Sequence, residues 1–111
     1  MVRTPTGGSP SHPGEMLAQE FLGPLGMSQT ELPERVGVPF QRVNRIINQK
    51  QAVSPDTALR LGRLFGTTPA FWLNLQLAWD LRLAMESKEA ARIKRFGHSA
   101  PSEPRPRDAG R

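Results

Sequence analysis

Apolar residues through the middle of the chain recur at helical spacing, and nowhere do they alternate with polar ones for long enough to make a strand. Five helices follow from that pattern and its punctuation. The first starts after Pro13 and Gly14, carries Leu17, Phe21 and Leu22 on one face, and ends near Gly23-Pro24. The second starts at Ser28, whose hydroxyl can cap it while Glu31 reaches back, and it stops at Gly37. Only Val38 and Pro39 separate it from the third, which runs from about Phe40 to Asn48. Ser54 caps the fourth, with Pro55 at its first position, Asp56 and Thr57 behind it and Gly66 closing it. Thr68-Pro69 repeats that start signal for a long fifth helix reaching about Glu86.

The expectation is therefore an all-α, five-helix domain over residues 13–86. Residues 1–12 (MVRTPTGGSPSH) and the end of the chain (HSAPSEPRPRDAGR) are rich in Pro, Gly and Ser and too poor in apolar groups to offset the entropy of ordering. Residues 1–12 are expected to be a flexible tail, and 87–111 a basic, Pro-containing one. With 111 residues, the chain can support a single core and not two.

Charge adds a partner to this picture. The net charge is +5 and the sequence pI near 11.1, which suits an anionic surface. Residues 87–111 hold seven basic and three acidic side chains, whereas 13–86 hold seven of each. Within that balanced segment, Arg35, Arg42, Arg45 and Lys50 follow one another with no acid between Glu34 and Asp56, so a phosphate backbone could meet this stretch.

The second helix, the tight Gly-containing turn and the third helix have the spacing of a helix-turn-helix, whose second helix enters the DNA major groove. At about 100° per residue, Gln41, Asn44, Arg45 and Asn48 share one face of the third helix, and Val43 and Ile46 point elsewhere. The residue types on that face carry chemistry. Asn and Gln can pair bidentately with adenine, and Arg with guanine. The plain alternative is the solvated face of an amphipathic helix; the tight turn and the cationic run argue for DNA.

SQTELPERVGVPFQRVNRIINQK resembles the Xre-type helix-turn-helix of phage repressors. HPGEMLAQEFL, followed by NQKQAVSPDTALRLGRLFGTTPAFWLNLQLAWDL, more closely resembles HigA-type antitoxins of bacterial toxin-antitoxin pairs, over about residues 12–83. The resemblance implies a repressor of its own operon that binds double-stranded operator DNA as a homodimer and neutralises a cognate RNA-cleaving toxin. By position it also implies that Gln29 holds a phosphate and that Gln41 and Arg45 read bases. Arg42 and Lys50 match flanking positions suited to phosphate. Phe40 stands where many relatives place a polar reader; it can touch a thymine methyl or pack between helices.

Two departures from the family pattern have structural consequences. Pro33 lacks the donor for the Gln29 carbonyl and crowds it, so the second helix should bend or start irregularly. Asn48-Gln49-Lys50 replaces a common Asn-Gly-Lys, so a left-handed exit from the third helix carries a Cβ penalty unless Asn48 adopts it.

In the fifth helix, Trp72, Leu75, Trp79 and Leu83 recur on one side, while Phe71, Leu73, Leu77 and Leu81 extend the apolar surface around much of the cylinder. A small core would not cover all of it, and self-association is the reading taken, with Trp72, Leu75, Trp79 and Leu83 at the dimer contact. The alternative is a central core helix.

No catalytic arrangement stands out. His12 and His98 lie at the tail margins, and the absence of cysteine removes thiolate ligands and nucleophiles, so neither enzyme activity nor a metal or cofactor is expected. The same absence suits a reducing cytoplasm, and no apolar run approaches a membrane span or a signal core. The basic run KEAARIKRFGH could extend the fifth helix, touch DNA or bind an acidic partner, or simply be solvated. Two other functions stay open: an Xre-type regulator without a toxin, and an interaction module that no longer binds DNA.

Overall fold

A computed structural model describes residues 11–96, which fold into helices with no strand among them. The tail expectations for residues 1–10 and 97–111 lie outside the described residues.

Helix α1 (13–25) is continuous but uneven: Pro13–Met16 is α-helical, Leu17–Leu22 widens to a π-helix, and Gly23–Leu25 resumes the α form. His12 caps it, Nδ1 accepting the Gly14 N–H at 2.9 Å, and Pro13 occupies the first turn, where no donor is needed. In the wide turn the Gly23 N–H reaches back to the Ala18 carbonyl. Pro24 follows, with no N–H to give and a ring that would crowd the Glu20 carbonyl in a regular helix; the widened turn relieves that conflict. The helix stops at Gly26, φ 65°, slightly later than expected.

Helix α2 is Glu31–Val36. Its N-cap position falls on Thr30 and not on Ser28 as expected, although Ser28 Oγ does accept the Glu31 N–H at 2.9 Å. The carboxylate of Glu31 does not turn back; it pairs with Arg35 one turn on, at 2.8 Å. Residues 29 and 30 form a turn and not a helical start, which is the irregularity that Pro33 implies. Gly37 at φ 72° ends α2, and the N–H groups of Gly37 and Val38 both return to the Pro33 carbonyl.

Helix α3 is Phe40–Ile47, α4 is Pro55–Phe65 and α5 is Pro69–Met85. Ser54 and Thr68 cap α4 and α5, accepting from the Thr57 and Phe71 N–H groups at 3.3 and 3.1 Å. A short α6, Lys88–Ala91, follows with Ser87 as its cap; the sequence reading placed no separate helix there.

Leu17, Leu32, Ile46, Leu61 and Trp72 are sealed from solvent at the centre. Around Trp72 gather Phe21, Phe65 and Phe71, with ring centroids 5.1, 6.4 and 5.0 Å away, and the indole N–H donates to Thr67 Oγ1 at 2.8 Å. Such a buried aromatic contributes several kcal/mol, on the order of 3–5 by truncation. Trp72 thus belongs to the core and not to a dimer contact, which corrects the sequence expectation: it is 0% exposed.

Helix α1 crosses directly behind α3. A Cβ on Gly14 would overlap the Ile46 carbonyl oxygen, so the two backbones meet with nothing between them.

Candidate nucleic-acid interface

Val43 and Ile46 bury one side of α3 against α1 and α2, so periodicity sends the other side outward. Gln41 and Arg45, one turn apart, are both exposed there, with Asn48 beyond them. Asn44 is only partly exposed, and its Oδ1 accepts from Asn48 Nδ2 at 3.3 Å, so the two amides share part of their bonding capacity. Gln29 and Lys50 are exposed at either end of the unit, Gln29 in the turn before α2 and Lys50 after α3. Phe40 opens α3 and is 43% exposed. The structure thus places Gln29, Phe40, Gln41, Arg45, Asn48 and Lys50 on accessible surface.

Arg42 has a different setting from the free phosphate contact anticipated for it. Its Nη1 donates to Asp56 at 3.2 Å and lies 3.5 Å from Thr57 Oγ1, tying α3 to the start of α4. Asp56 also receives Arg60 Nε at 3.1 Å, and Arg60 Nη1 continues to the Val36 carbonyl at 2.7 Å. Hydrogen bonding from Arg60, and then from Arg42, holds the Asp56 carboxyl below its ordinary pKa. One carboxylate and two guanidinium groups therefore fix how α2, α3 and α4 meet. Neither Asp56 nor Arg60 was singled out for this from sequence, since an Asp in the first turn of a helix has a sufficient explanation in the helix dipole.

The exit from α3 turns at Gln49, φ 62°, while Asn48 stays at φ −86°. The Lys50 N–H returns to the Arg45 carbonyl at 2.8 Å, the bond that requires the left-handed residue. The conformation thus falls on Gln49, and the Cβ penalty is incurred. Further along the same loop, the Val53 N–H donates to Gln76 Oε1 at 2.9 Å, and Gln76 Nε2 donates to Asp80 at 2.9 Å. A buried glutamine of α5 thereby holds the segment that carries Lys50. Its position on an otherwise apolar face was the available signal.

On α5 the apolar surplus is real, but on the side opposite the one expected. Trp72 and Gln76 are buried, Leu75 packs on the core, and Trp79 meets His12 edge to face at 5.3 Å and carries Arg82 over its ring at 4.6 Å. Of the four expected dimer residues, only Leu83 is exposed, at 47%. Across the helix, Leu77 and Leu81, one turn apart, are 61% and 53% exposed.

Among the described residues no cluster of three or more His, Asp or Glu side chains could hold a metal ion, and no helix is long and apolar enough to cross a membrane.

Residues 19–72 match the family described as Helix-turn-helix. Virulence-associated protein I of Dichelobacter nodosus is 42% identical over 82 residues, 74% of this chain and 76% of that protein. An addiction module antidote protein of a HigA family from Coxiella burnetii is 41% identical with a TM-score of 0.71, over 79% of this chain and 99% of the other. A Pseudomonas aeruginosa antitoxin HigA, solved with the higBA promoter, is 36% identical with a TM-score of 0.73, over 78% and 98%. Identity at this level, carried across almost the whole length of both solved relatives, leaves one assignment: the chain belongs to the HigA-type antitoxins of the Xre helix-turn-helix family.

Proposed function

We propose that the protein is a dimeric, sequence-specific DNA-binding antitoxin that represses its own operon and neutralises a cognate RNA-cleaving toxin. The observation that carries the DNA half is the exposure of Gln41 and Arg45 side by side on a helix whose opposite face is locked into the core. An amide and a guanidinium held there can read adenine and guanine edges, each good bidentate pair discriminating by about 1–3 kcal/mol. Gln29 and Lys50, at the two ends of the unit, supply phosphate contacts that set register without reading sequence. Arg42, committed to Asp56, acts first as a brace.

Dimerisation is assigned to the Leu77–Leu81 face of α5, which exposes neighbouring leucines that nothing among the described residues covers. A two-fold dimer presents two copies of α3 to half-sites about 34–36 Å apart. The toxin half rests on membership of the antitoxin family.

A footprint over the protein's own promoter is the direct test. Protection of two half-sites in inverted repeat is the expected result, and protection no better than on random DNA ends the DNA-reading proposal. Co-expression with any small reading frame found beside its gene tests the toxin half. Relief of growth arrest is expected; no arrest and no complex would leave a transcriptional regulator without a toxin.

A further inference from the structure

We propose that the ring of Phe40 reads a pyrimidine 5-methyl group in the major groove, that of thymine or 5-methylcytosine, and so adds an apolar component to a site otherwise built from amides and charges. This rests on the DNA-reading role of α3 proposed above.

Phe40 is the first residue of α3, preceded by Pro39 in an extended conformation, φ −64° and ψ 146°. Helical Cα–Cβ bonds tilt toward the N-terminus, so a side chain usually lies over the turn before it. At the first position no such turn exists, so the ring has no preceding turn of its own helix to lie over. It stays 43% exposed, and it is absent from the ring contacts that join Phe21, Phe65, Phe71 and Trp72 in the core. Packing between helices, one of the two roles open to it from sequence, therefore covers part of the residue and leaves 43% of it free.

The location narrows the ligand. The N-terminal residues of a recognition helix are the ones that reach base edges, and Phe40 adjoins Gln41, with Asn44 one turn further on. A phenyl ring has neither donor nor acceptor, so it is blind to the hydrogen-bonding pattern of the groove. The apolar feature that a base presents there is the C5 methyl. Docking would cover both the methyl and the exposed ring, giving a contribution that grows with the apolar area removed from water.

The test uses the full-length protein and the promoter segment it protects, synthesised with each thymine in turn replaced by deoxyuridine, which removes the methyl and leaves every hydrogen-bonding group in place. One position in each half-site is expected to weaken binding by about fourfold per methyl, the contribution of one buried carbon. Phe40→Ala should lose a similar factor on the thymine site and nothing more on the uracil site, while Phe40→Leu, which keeps an apolar tip, should recover part of the loss. Cytosine and 5-methylcytosine at that position form the second arm; a gain with 5-methylcytosine that vanishes in Phe40→Ala identifies the methyl itself as the ligand. Undiminished binding to every uracil-substituted site, or losses from Phe40→Ala and from uracil that multiply independently, would overturn the assignment while leaving DNA reading intact. Failure to bind the unmodified promoter would remove both.

Discussion

Arg60 Nη1 lies 2.7 Å from the main-chain oxygen of Val36, so a side chain of α4 closes the C-terminus of α2 just where the helix-turn-helix turns. The same nitrogen is 3.3 Å from the Gly37 carbonyl, and the guanidinium is held at its other edge by Asp56. Arg60→Ala frees both carbonyls and leaves Asp56 with Arg42 as its guanidinium partner. A loss of about 1–3 kcal/mol in unfolding free energy is expected from the charged hydrogen bonds removed, measured by urea denaturation. Arg60→Lys should recover only part of it, because an ammonium cannot span the carbonyls and the carboxylate with one rigid fork.

Gln49 bears the left-handed turn after α3, and glycine would occupy it without a Cβ conflict. Gln49→Gly should stabilise the fold by about 0.5–1 kcal/mol, the strain relieved less the extra freedom of glycine in the unfolded chain. A melting temperature unchanged or lowered would show that the Gln49 side chain makes a compensating contact.

His12 makes stability depend on pH. Its Nδ1 needs a free lone pair to accept from Gly14, and burial lowers its pKa below 6.5 despite the opposing pull of Asp80 and Glu15. The guanidinium of Arg82, stacked on Trp79, is the cation across the ring it touches. Because the folded pKa lies below the unfolded one, the unfolded chain takes up the proton first as pH falls. The contribution of His12 is thus fully present above the unfolded value and is lost as pH falls through 6.5 toward the folded value. Urea midpoints compared between about pH 8 and about pH 5.5 should fall in the wild type and fall less in His12→Asn, which keeps a capping acceptor without a titrating ring.

Reading and holding should separate in DNA binding. Arg45→Ala is expected to relax base preference at one position of each half-site, with a cost of about 1–3 kcal/mol on the preferred sequence. Lys50→Ala is expected to weaken binding to all sequences and to flatten the salt dependence by about one unit of log–log slope. Competition with single-base operator variants at several salt concentrations measures both, and identical profiles for the two variants would contradict the division.

Leu77→Lys with Leu81→Lys places two charges on the exposed face of α5 and should shift sedimentation toward monomer at low micromolar concentration without unfolding the chain. Trp79→Ala should act differently, lowering stability before association, because Trp79 packs on His12. An unchanged sedimentation profile for the leucine pair would move the dimer contact elsewhere.

What could be read from sequence tracks how local the determinant is. The hydroxyls of Ser28, Ser54 and Thr68 each accept the backbone N–H three residues on, since a hydroxyl so close to its donor needs no tertiary information. The outward face of α3 was legible for the same reason, through the period of Val43 and Ile46. On α5, where leucines occur all round, period could not separate the core side from the free side, and Trp72 was assigned to the wrong one. Arg60 and Gln76 act on partners 24 and 23 residues away in the chain, a distance over which spacing carries no signal. His12 stands at the entry to the first helix in the sequence as in the structure, but its contact with Trp79, almost at the other end of the domain, is beyond the reach of spacing.

The bare meeting of Gly14 with the Ile46 carbonyl leaves α3 no cushion behind it. Any larger residue at Gly14 would push the whole helix outward, shifting every side chain on its outer face at once, whereas in the proposed DNA-reading role an exchange at Gln41 or Arg45 would alter a single letter of what is recognised. The outer positions are thus the ones the fold leaves open to exchange, while the seat beneath them admits no side chain.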